Sequence, residues 1–265
     1  MLAYWISERE IVRRLKEHGD PKPWSDDWVF QQTYFCNVHR EDDRVTRWIR
    51  KNYTPELMGE WYDYTIVAAR IFNWPPTLDK LWDHGGLIPY NSFQMEKFLK
   101  EKQENGEKVW GGAYLITTHG QKMSKRDYCV QLMSDVHQHF SVRHPPVWDT
   151  CQAWYEFIME IKGLGSFLSA QIVADLKNTQ GHILVKADDW ISFSAPGPGS
   201  LRGLSWYFGE KVTPTNYQSM INKVSHDLQW EYCMQDLQNC LCEFDKYCRV
   251  RSGTGRSKRK YPGAE

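Results

Sequence analysis

Apolar residues recur at intervals of three and four along most of this chain, the spacing that lines one face of an α-helix. Ile11, Val12 and Leu15 follow Ser7 and Glu10, which stand three apart as a capping box, so residues 7–17 are expected to form a helix that Pro21 and Pro23 end. Over 33–53, Val38, Val45 and Ile49 share the core-facing side of a second helix, and Asn37, Arg40, Asp43 and Arg44 form the polar stripe beside it. A helix from Pro55 runs through Leu57, Trp61, Tyr64, Ala68 and Ile71 and stops at Pro75 and Pro76. Thr77 is placed to cap the next helix, and Asn91 or Ser92 caps one through Phe93, Phe98 and Leu99. The charged run 101–108 reads as a surface loop, 127–140 as a helix, and Asp149 or Thr150 as the cap of the helix that leads to Gly163. A long final helix, interrupted once, covers about 216 to 249. Only 109–118 is β-prone, with His119-Gly120 to turn it into a small hairpin, so the pattern predicts a mainly α protein with one β-hairpin.

The helical pattern is punctuated most sharply within 161–204. Lys162 ends a helix, Gly163-Leu164-Gly165 turns the chain, and Ser166 opens a second apolar helix through Leu168, Ile172, Val173 and Leu176. This is a helix-hairpin-helix pattern, in which positive φ and close backbone approach are expected at both Gly163 and Gly165. The unpaired N–H groups at the start of the second helix, around Ser166, would face an anion, which in nucleic-acid proteins is a DNA phosphate. The same residues also suit a plain αα connection. Asp188-Asp189 follow the turn at about the distance of the catalytic aspartate in helix-hairpin-helix DNA glycosylases, which this stretch resembles. Where the backbone-cleaving members of that group carry a lysine, this chain has Ser166, Phe167 and Leu168, so Schiff-base lyase chemistry is not expected. Next, 195–203 reads as a Pro/Gly-fixed loop. The backbone of Gly197 and Gly199, with the side chains of Ser200 and Arg202, offers donors suited to phosphate or pyrophosphate, or else simply makes a rigid turn.

Charge narrows the options. The 265 residues carry 33 basic and 33 acidic side chains, so a nucleic-acid surface requires local segregation. Arg249, Arg251, Arg256, Lys258, Arg259 and Lys260 share a stretch whose only acid is Glu265, which divides the chain into a domain over 1–248 and a basic, flexible tail over 249–265. Lys122, Lys125 and Arg126 make a second basic group beside the expected hairpin, suited to DNA backbone contacts. Aromatic residues reach 14%, enough to line a cleft in which unpaired bases stack. Seven cysteines and no leader, since the apolar start 1–6 is short, point to reduced thiols in a cytoplasm, and no window approaches a membrane span. Cys233, Cys240, Cys242 and Cys248 nearly reproduce the iron–sulfur loop of some glycosylases, but the middle spacing is one residue short and helix formers lie between them. Free thiols are the expectation, and no cofactor is assigned.

One set of motifs extends over most of the chain, from about 34 to 249. The run from Asn37 through Arg40, Asp43 and Arg44 to Ile49, the Gly-Leu-Gly turn, Asp188-Asp189, the 197–203 loop and the 242–247 block together resemble the bacteriophage alpha-glutamyl/putrescinyl-thymine pyrophosphorylase family. These amino acid:DNA transferases are related to the helical domain of 5-hydroxymethyluracil DNA kinases. The resemblance implies a glycosylase-like fold of two helical lobes and a substrate of double-stranded DNA whose modified pyrimidine is flipped out of the stack. It implies that a free amino acid or polyamine displaces pyrophosphate from the 5-methylene of uracil, after a hydroxymethyluracil DNA kinase has acted, in the cytoplasm of a phage-infected host. Asp188 or Asp189 would then take or hold the proton of the attacking ammonium. Arg202 and the Gly197–Ser200 loop, with Arg40 or Arg44, would neutralise the leaving pyrophosphate. Asn37 would read a base edge and Asp43 would orient an arginine, while Arg70 and Asn73, one helical turn apart, and Lys246 would meet the ligand or cap a helix end. A cation at the turn or the pyrophosphate stays open. A Cys36 thiolate adding to C6 of the uracil is a further option. Two rivals are a DNA-binding module without chemistry and a monofunctional glycosylase.

Overall fold

A computed structural model describes residues 1–113, 116–143 and 149–255. Its helices are α1 (Leu2–His18), α2 (Trp28–Gln32), α3 (Arg44–Asn52), α4 (Pro55–Met58), α5 (Tyr62–Phe72), α6 (Pro75–Leu81), α7 (Ser92–Glu104), α8 (Lys125–Val142), α9 (Cys151–Met159), α10 (Ser166–Lys177), α11 (Pro198–Phe208), α12 (Tyr217–Asp227) and α13 (Met234–Arg251). Short 3₁₀ turns occupy Arg40–Asp42, Gly59–Trp61 and Ile183–Lys186. The protein is mainly helical, and among the described residues there is no strand. None of the described helices is long and apolar enough to cross a membrane.

The chain divides into two units, Met1–Asp43 with Ile191–Glu265, and Arg44–Trp190. In the first, α13 packs along α11 and α12 and receives α1 and α2. Trp5, Phe30, Phe35, Leu204, Ile221, Leu237, Leu241, Phe244 and Tyr247 form its core. In the second, α5 is buried along almost its whole length and packs on α8 and α10, which bring in Leu132, Met133, Ile172, Val173 and Leu176. A helix apolar on every side belongs in a core.

Several expectations need correction, each for a reason visible in the packing. Helix α1 begins at Leu2 rather than Ser7, because Leu2 and Trp5 continue the buried stripe of Arg9 and Val12 toward the N-terminus, so Ser7 is interior and caps nothing. Residues 34–39 are not helical. The Arg9 guanidinium takes the carbonyls of Phe35 and Cys36 (3.3 and 2.9 Å), Asn239 donates to the carbonyl of Asn37 (3.1 Å), and the Cys36 N–H donates to Glu243 (2.9 Å). Side chains from distant helices thus satisfy groups that a helix would have paired internally. The helix expected from Pro55 is broken by Gly59, at φ +54°, into α4, a 3₁₀ turn and α5. Asn91 and Thr150 are the caps of α7 and α9, but Thr77 instead lies inside α6, with its hydroxyl donating to the Val109 carbonyl at 2.8 Å. Helix α7 continues to Glu104, because Lys102 is buried and paired with Glu107.

The expected β-hairpin over 109–118 is absent among the described residues; Tyr114 and Leu115 lie outside them. Its backbone docks on a helix end instead. Gly111 donates to the Phe72 carbonyl at 2.8 Å, and a Cβ at Gly111 would lie 2.1 Å from the Asn73 carbonyl oxygen. Residues 198–203, expected as loop, are the first turns of α11. Gly197 is the N-cap, Pro198 opens the helix, and Gly199 and Gly203 let it approach α13 so closely that a Cβ would meet Cys242 Sγ at 2.2 Å and the Leu241 carbonyl oxygen at 2.1 Å. Helix α13 runs on to Arg251, so Arg249 and Arg251 are helical, while Arg256, Lys258, Arg259 and Lys260 fall outside the described residues.

Candidate functional site

In the second unit, α9 and α10 meet through the turn at Gly163. Ile161 and Leu164 are buried, Gly163 has φ +106°, and a Cβ there would lie 2.6 Å from Tyr128 Oη. Only glycine satisfies both conditions. Gly165 is different: as the N-cap of α10 it has φ −79° and open space where a Cβ would be, so neither steric demand expected of it applies. Ser166 is the first residue of α10.

Asp189 is tied back to this motif. Its carboxylate accepts from the N–H groups of Cys151 at 2.7 Å and Gln152 at 2.9 Å, the first two residues of α9. An anion bonded to free N–H groups at a helix start gains from both the hydrogen bonds and the helix dipole. Lys177 bonds the Trp190 carbonyl and the Trp190 indole bonds the Lys177 carbonyl, at 2.7 and 2.8 Å, fastening the segment to the end of α10. Asp188 beside it is exposed. The two aspartates therefore occupy different environments, one anchored by backbone and the other open to solvent.

Arg70 and Asn73 belong to a buried polar cluster. Arg70, fully buried, donates to Asp175 through Nε and, at 2.7 Å, through Nη2, to Thr46 at 2.9 Å and to Asn73 at 3.1 Å, while Arg50 lies 2.9 Å from the same carboxylate. Asn73 ends α5 in the left-handed region at φ 45°. Of the basic group 122–126, Lys122 is exposed, Arg126 pairs with Asp127 at 2.8 Å, and Lys125 lies over the Trp110 ring at 4.5 Å, where burial lowers its ammonium pKa.

The remaining predicted residues sit in the first unit, except Arg44, which is exposed at the start of α3. Asn37 accepts from buried Arg9, whose Nη1 has no hydrogen-bond partner among the described residues. Arg40 is buried, with its backbone N–H on Asp236 at 3.1 Å and its guanidinium 3.3 Å from Glu41, and Asp43 closes the 3₁₀ turn on the Arg40 carbonyl. Lys246 pairs with Glu243 at 2.6 Å. Cys36 is exposed, and the surrounding protein and then the Glu243 carboxylate push the pKa of its thiol upward. The Ser200 hydroxyl donates to the Gly197 carbonyl and accepts from its N–H, both at 3.1 Å, and so is spent on the start of α11. Arg202 donates to Asp245 at 3.0 and 2.9 Å, and Arg249 reaches the same carboxylate at 3.2 Å. Asp245 is buried while Arg202 is half exposed, so two arginines around one carboxylate leave an excess positive charge at the surface of this unit. Cys233, Cys240, Cys242 and Cys248 are free thiols spread along α13 and its cap rather than gathered on a loop.

Sequence reasoning passed over Arg9, Asp175 and Asp245, which organise these clusters. A signal was present in each case: Arg9 continues the stripe of Leu2 and Trp5, Asp175 interrupts the apolar run of α10, and Asp245 follows Phe244 on the core side of α13. A charge at a core position has a partner or a task.

The family described as 5-hmdU DNA kinase, helical domain, matches residues 1–257. Among curated proteins, the 5-hmdU DNA kinase of Bacillus phage SP10 is 20% identical over 279 aligned positions, which take in 91% of this chain and 43% of that protein. The chain thus spans less than half the length of this relative. No solved structure matches.

Proposed function

The chain belongs to the family of 5-hmdU DNA kinase helical domains, and from that premise we propose that it acts in the hypermodification of thymine in phage DNA, as the transferase that replaces pyrophosphate on 5-pyrophosphoryloxymethyluracil with a primary amine. The observation that carries this reading is the tie between Asp189 and the first turn of α9, which holds the aspartate pair and the Gly163 turn on one framework in the second unit. In this reading the N–H groups at the start of α10 grip a DNA phosphate beside a flipped nucleotide. The amine nitrogen bonds to the 5-methylene carbon while the C–O bond to pyrophosphate breaks. Asp188, exposed, takes the proton that the nitrogen sheds, and Asp189 is the anchor that places it. Taken by itself, the first unit carries a cationic surface at Arg202 and Arg249, preset by buried Asp245, of the kind that recognises phosphate oxygens.

The test is nucleoside mass analysis of DNA carrying 5-pyrophosphoryloxymethyluracil after incubation with the protein and a mixture of amino acids and polyamines. A nucleoside heavier by one amine, with stoichiometric pyrophosphate, is the expected product. The partial coverage of the kinase relative favours one second reading, a DNA-binding module that serves catalytic machinery elsewhere. Bound but chemically unchanged DNA would select it, and an abasic product would select a glycosylase.

A further inference from the structure

In the first unit, three long side chains converge on one buried carboxylate. Asp245, on α13, is 1% exposed. Arg202 reaches it from α11 at 3.0 and 2.9 Å, Arg249 from the next turn of α13 at 3.2 Å, and the Trp206 indole N–H donates to it at 3.3 Å. Arg202 and Trp206 stand four residues apart on α11, so they are neighbours on one helix face. The carboxylate therefore fixes two guanidinium groups and an indole as one preset surface.

The indole is the informative member. Tryptophan is highly buried on average, and this one is 45% exposed. Its single polar atom is turned inward to Asp245, so what it offers to solvent is chiefly aromatic carbon. The charge beside it has one sign. Arg202 is 53% exposed and Arg249 35%, and two arginines against one aspartate leave one net positive charge. Gly255, the last described residue, donates to the Arg249 carbonyl at 3.0 Å and lies against its side chain, and the sequence that continues from it holds Arg256, Lys258, Arg259 and Lys260.

An anion with no flat face would engage the arginines and leave the indole idle, and a flat neutral ring would do the reverse. A nucleotide engages both, because its base stacks on an aromatic face and its phosphodiester pairs with guanidinium groups. In a duplex each base is already stacked, so the indole gains a partner only where bases are unpaired.

We propose that the Arg202, Trp206 and Arg249 surface of α11 and α13 binds single-stranded nucleic acid, with one unpaired base on the indole and neighbouring phosphates on the two arginines. It shares its arginines with the function proposed above but needs neither transfer chemistry nor the second unit.

Fluorescence anisotropy of the full chain with labelled oligothymidylate, the same strand paired to oligoadenylate, and labelled heparin tests it. Trp206→Ala should weaken oligothymidylate binding about tenfold, the loss of one stacked base, and leave duplex and heparin binding unchanged. Trp206→Phe keeps a stacking face without the N–H, and should retain most of the affinity. Arg202→Gln leaves Asp245 paired with Arg249, and should make the dependence of oligothymidylate affinity on salt shallower by about 0.7 in the log–log slope. Circular dichroism of each variant should match wild type. No oligothymidylate binding by the wild-type chain, equal affinity in Trp206→Ala, or an equal loss for heparin overturns the proposal. The two readings fail separately. Amine transfer that never occurs while oligothymidylate binding depends on Trp206 sinks the transferase and leaves this surface; transfer that proceeds while Trp206→Ala binds as tightly as wild type does the reverse.

Discussion

Substituting each of the two aspartates by asparagine should separate anchoring from chemistry. The Asp189 carboxylate accepts two backbone N–H bonds, one on each oxygen, at 2.7 and 2.9 Å, at the start of α9. Asp189→Asn retains one acceptor and turns an amide NH₂ toward the other donor, so one charge-assisted bond is lost and the other weakened. At roughly 1.5–3 kcal/mol for a hydrogen bond to a charged group, and about 0.3–1 kcal/mol for the helix dipole, the expected loss is about 2 kcal/mol. The Thr150 hydroxyl, which accepts from the Ala153 N–H at 3.3 Å, still caps α9, so the loss stays near that figure. Asp188 is exposed, and Asp188→Asn should change stability by no more than about 0.5 kcal/mol. Urea unfolding followed by circular dichroism reads both, and the slope m should not change. Single-turnover pyrophosphate release should show the opposite order, with Asp188→Asn slowed by roughly 10²–10⁴ as expected for a lost general base. If Asp189→Asn unfolds at the wild-type urea concentration, the anchoring argument is wrong. If Asp188→Asn keeps the full single-turnover rate, it is not the base.

Three further outcomes follow from the clusters. Asp175→Asn removes the buried counter-charge of Arg70 and Arg50 and should destabilise by roughly 3–5 kcal/mol in urea, whereas Asp175→Leu combined with Arg70→Met should recover much of it, because the desolvation of both ions is relieved together. Gly203→Ala forces a Cβ to within 2.1 Å of the Leu241 carbonyl oxygen and should destabilise the first unit by about 1–3 kcal/mol, with a lowered urea midpoint as the readout; an unchanged midpoint would mean that α11 and α13 are not in such close contact. His39 has a raised pKa, chiefly through its hydrogen bond to Asp236 at 3.4 Å. A raised folded pKa gives stability that is full below the unfolded value of 6.5 and fades as pH rises through the folded value, so wild-type urea stability should decline from pH 5.5 to above pH 8 more steeply than that of His39→Gln, all else equal.

Much of the helical framework is legible in the sequence because it rests on local chemistry. Helices α8, α9, α10 and α13 follow from apolar periodicity, Asn91 and Thr150 cap where a short polar side chain precedes an apolar run, and Gly163 marks a turn that requires positive φ. Where local preference and packing disagree, packing prevails. Residues 34–39 have helical spacing, but Arg9, Asn239 and Glu243, up to about two hundred positions away, take their backbone groups. The glycines and prolines of 197–203 are equally good loop formers and helix-start residues, and only the face of α13 at Leu241 and Cys242 decides that they open a helix whose glycines serve contact. The β-prone run at 109–113 finds the carbonyl end of α5 in place of a partner strand. The polar clusters are the least visible from sequence, because the energy of a charge depends on what surrounds it: Asp175 and Asp245 read as single acids among apolar neighbours until the fold brings two arginines to each. Local sequence therefore determined which segments are helices and where the sharp turn lies, while the burial and partners of each charge, and with them which carboxylate is anchored and which is open, were decided by long-range contacts that no short window contains.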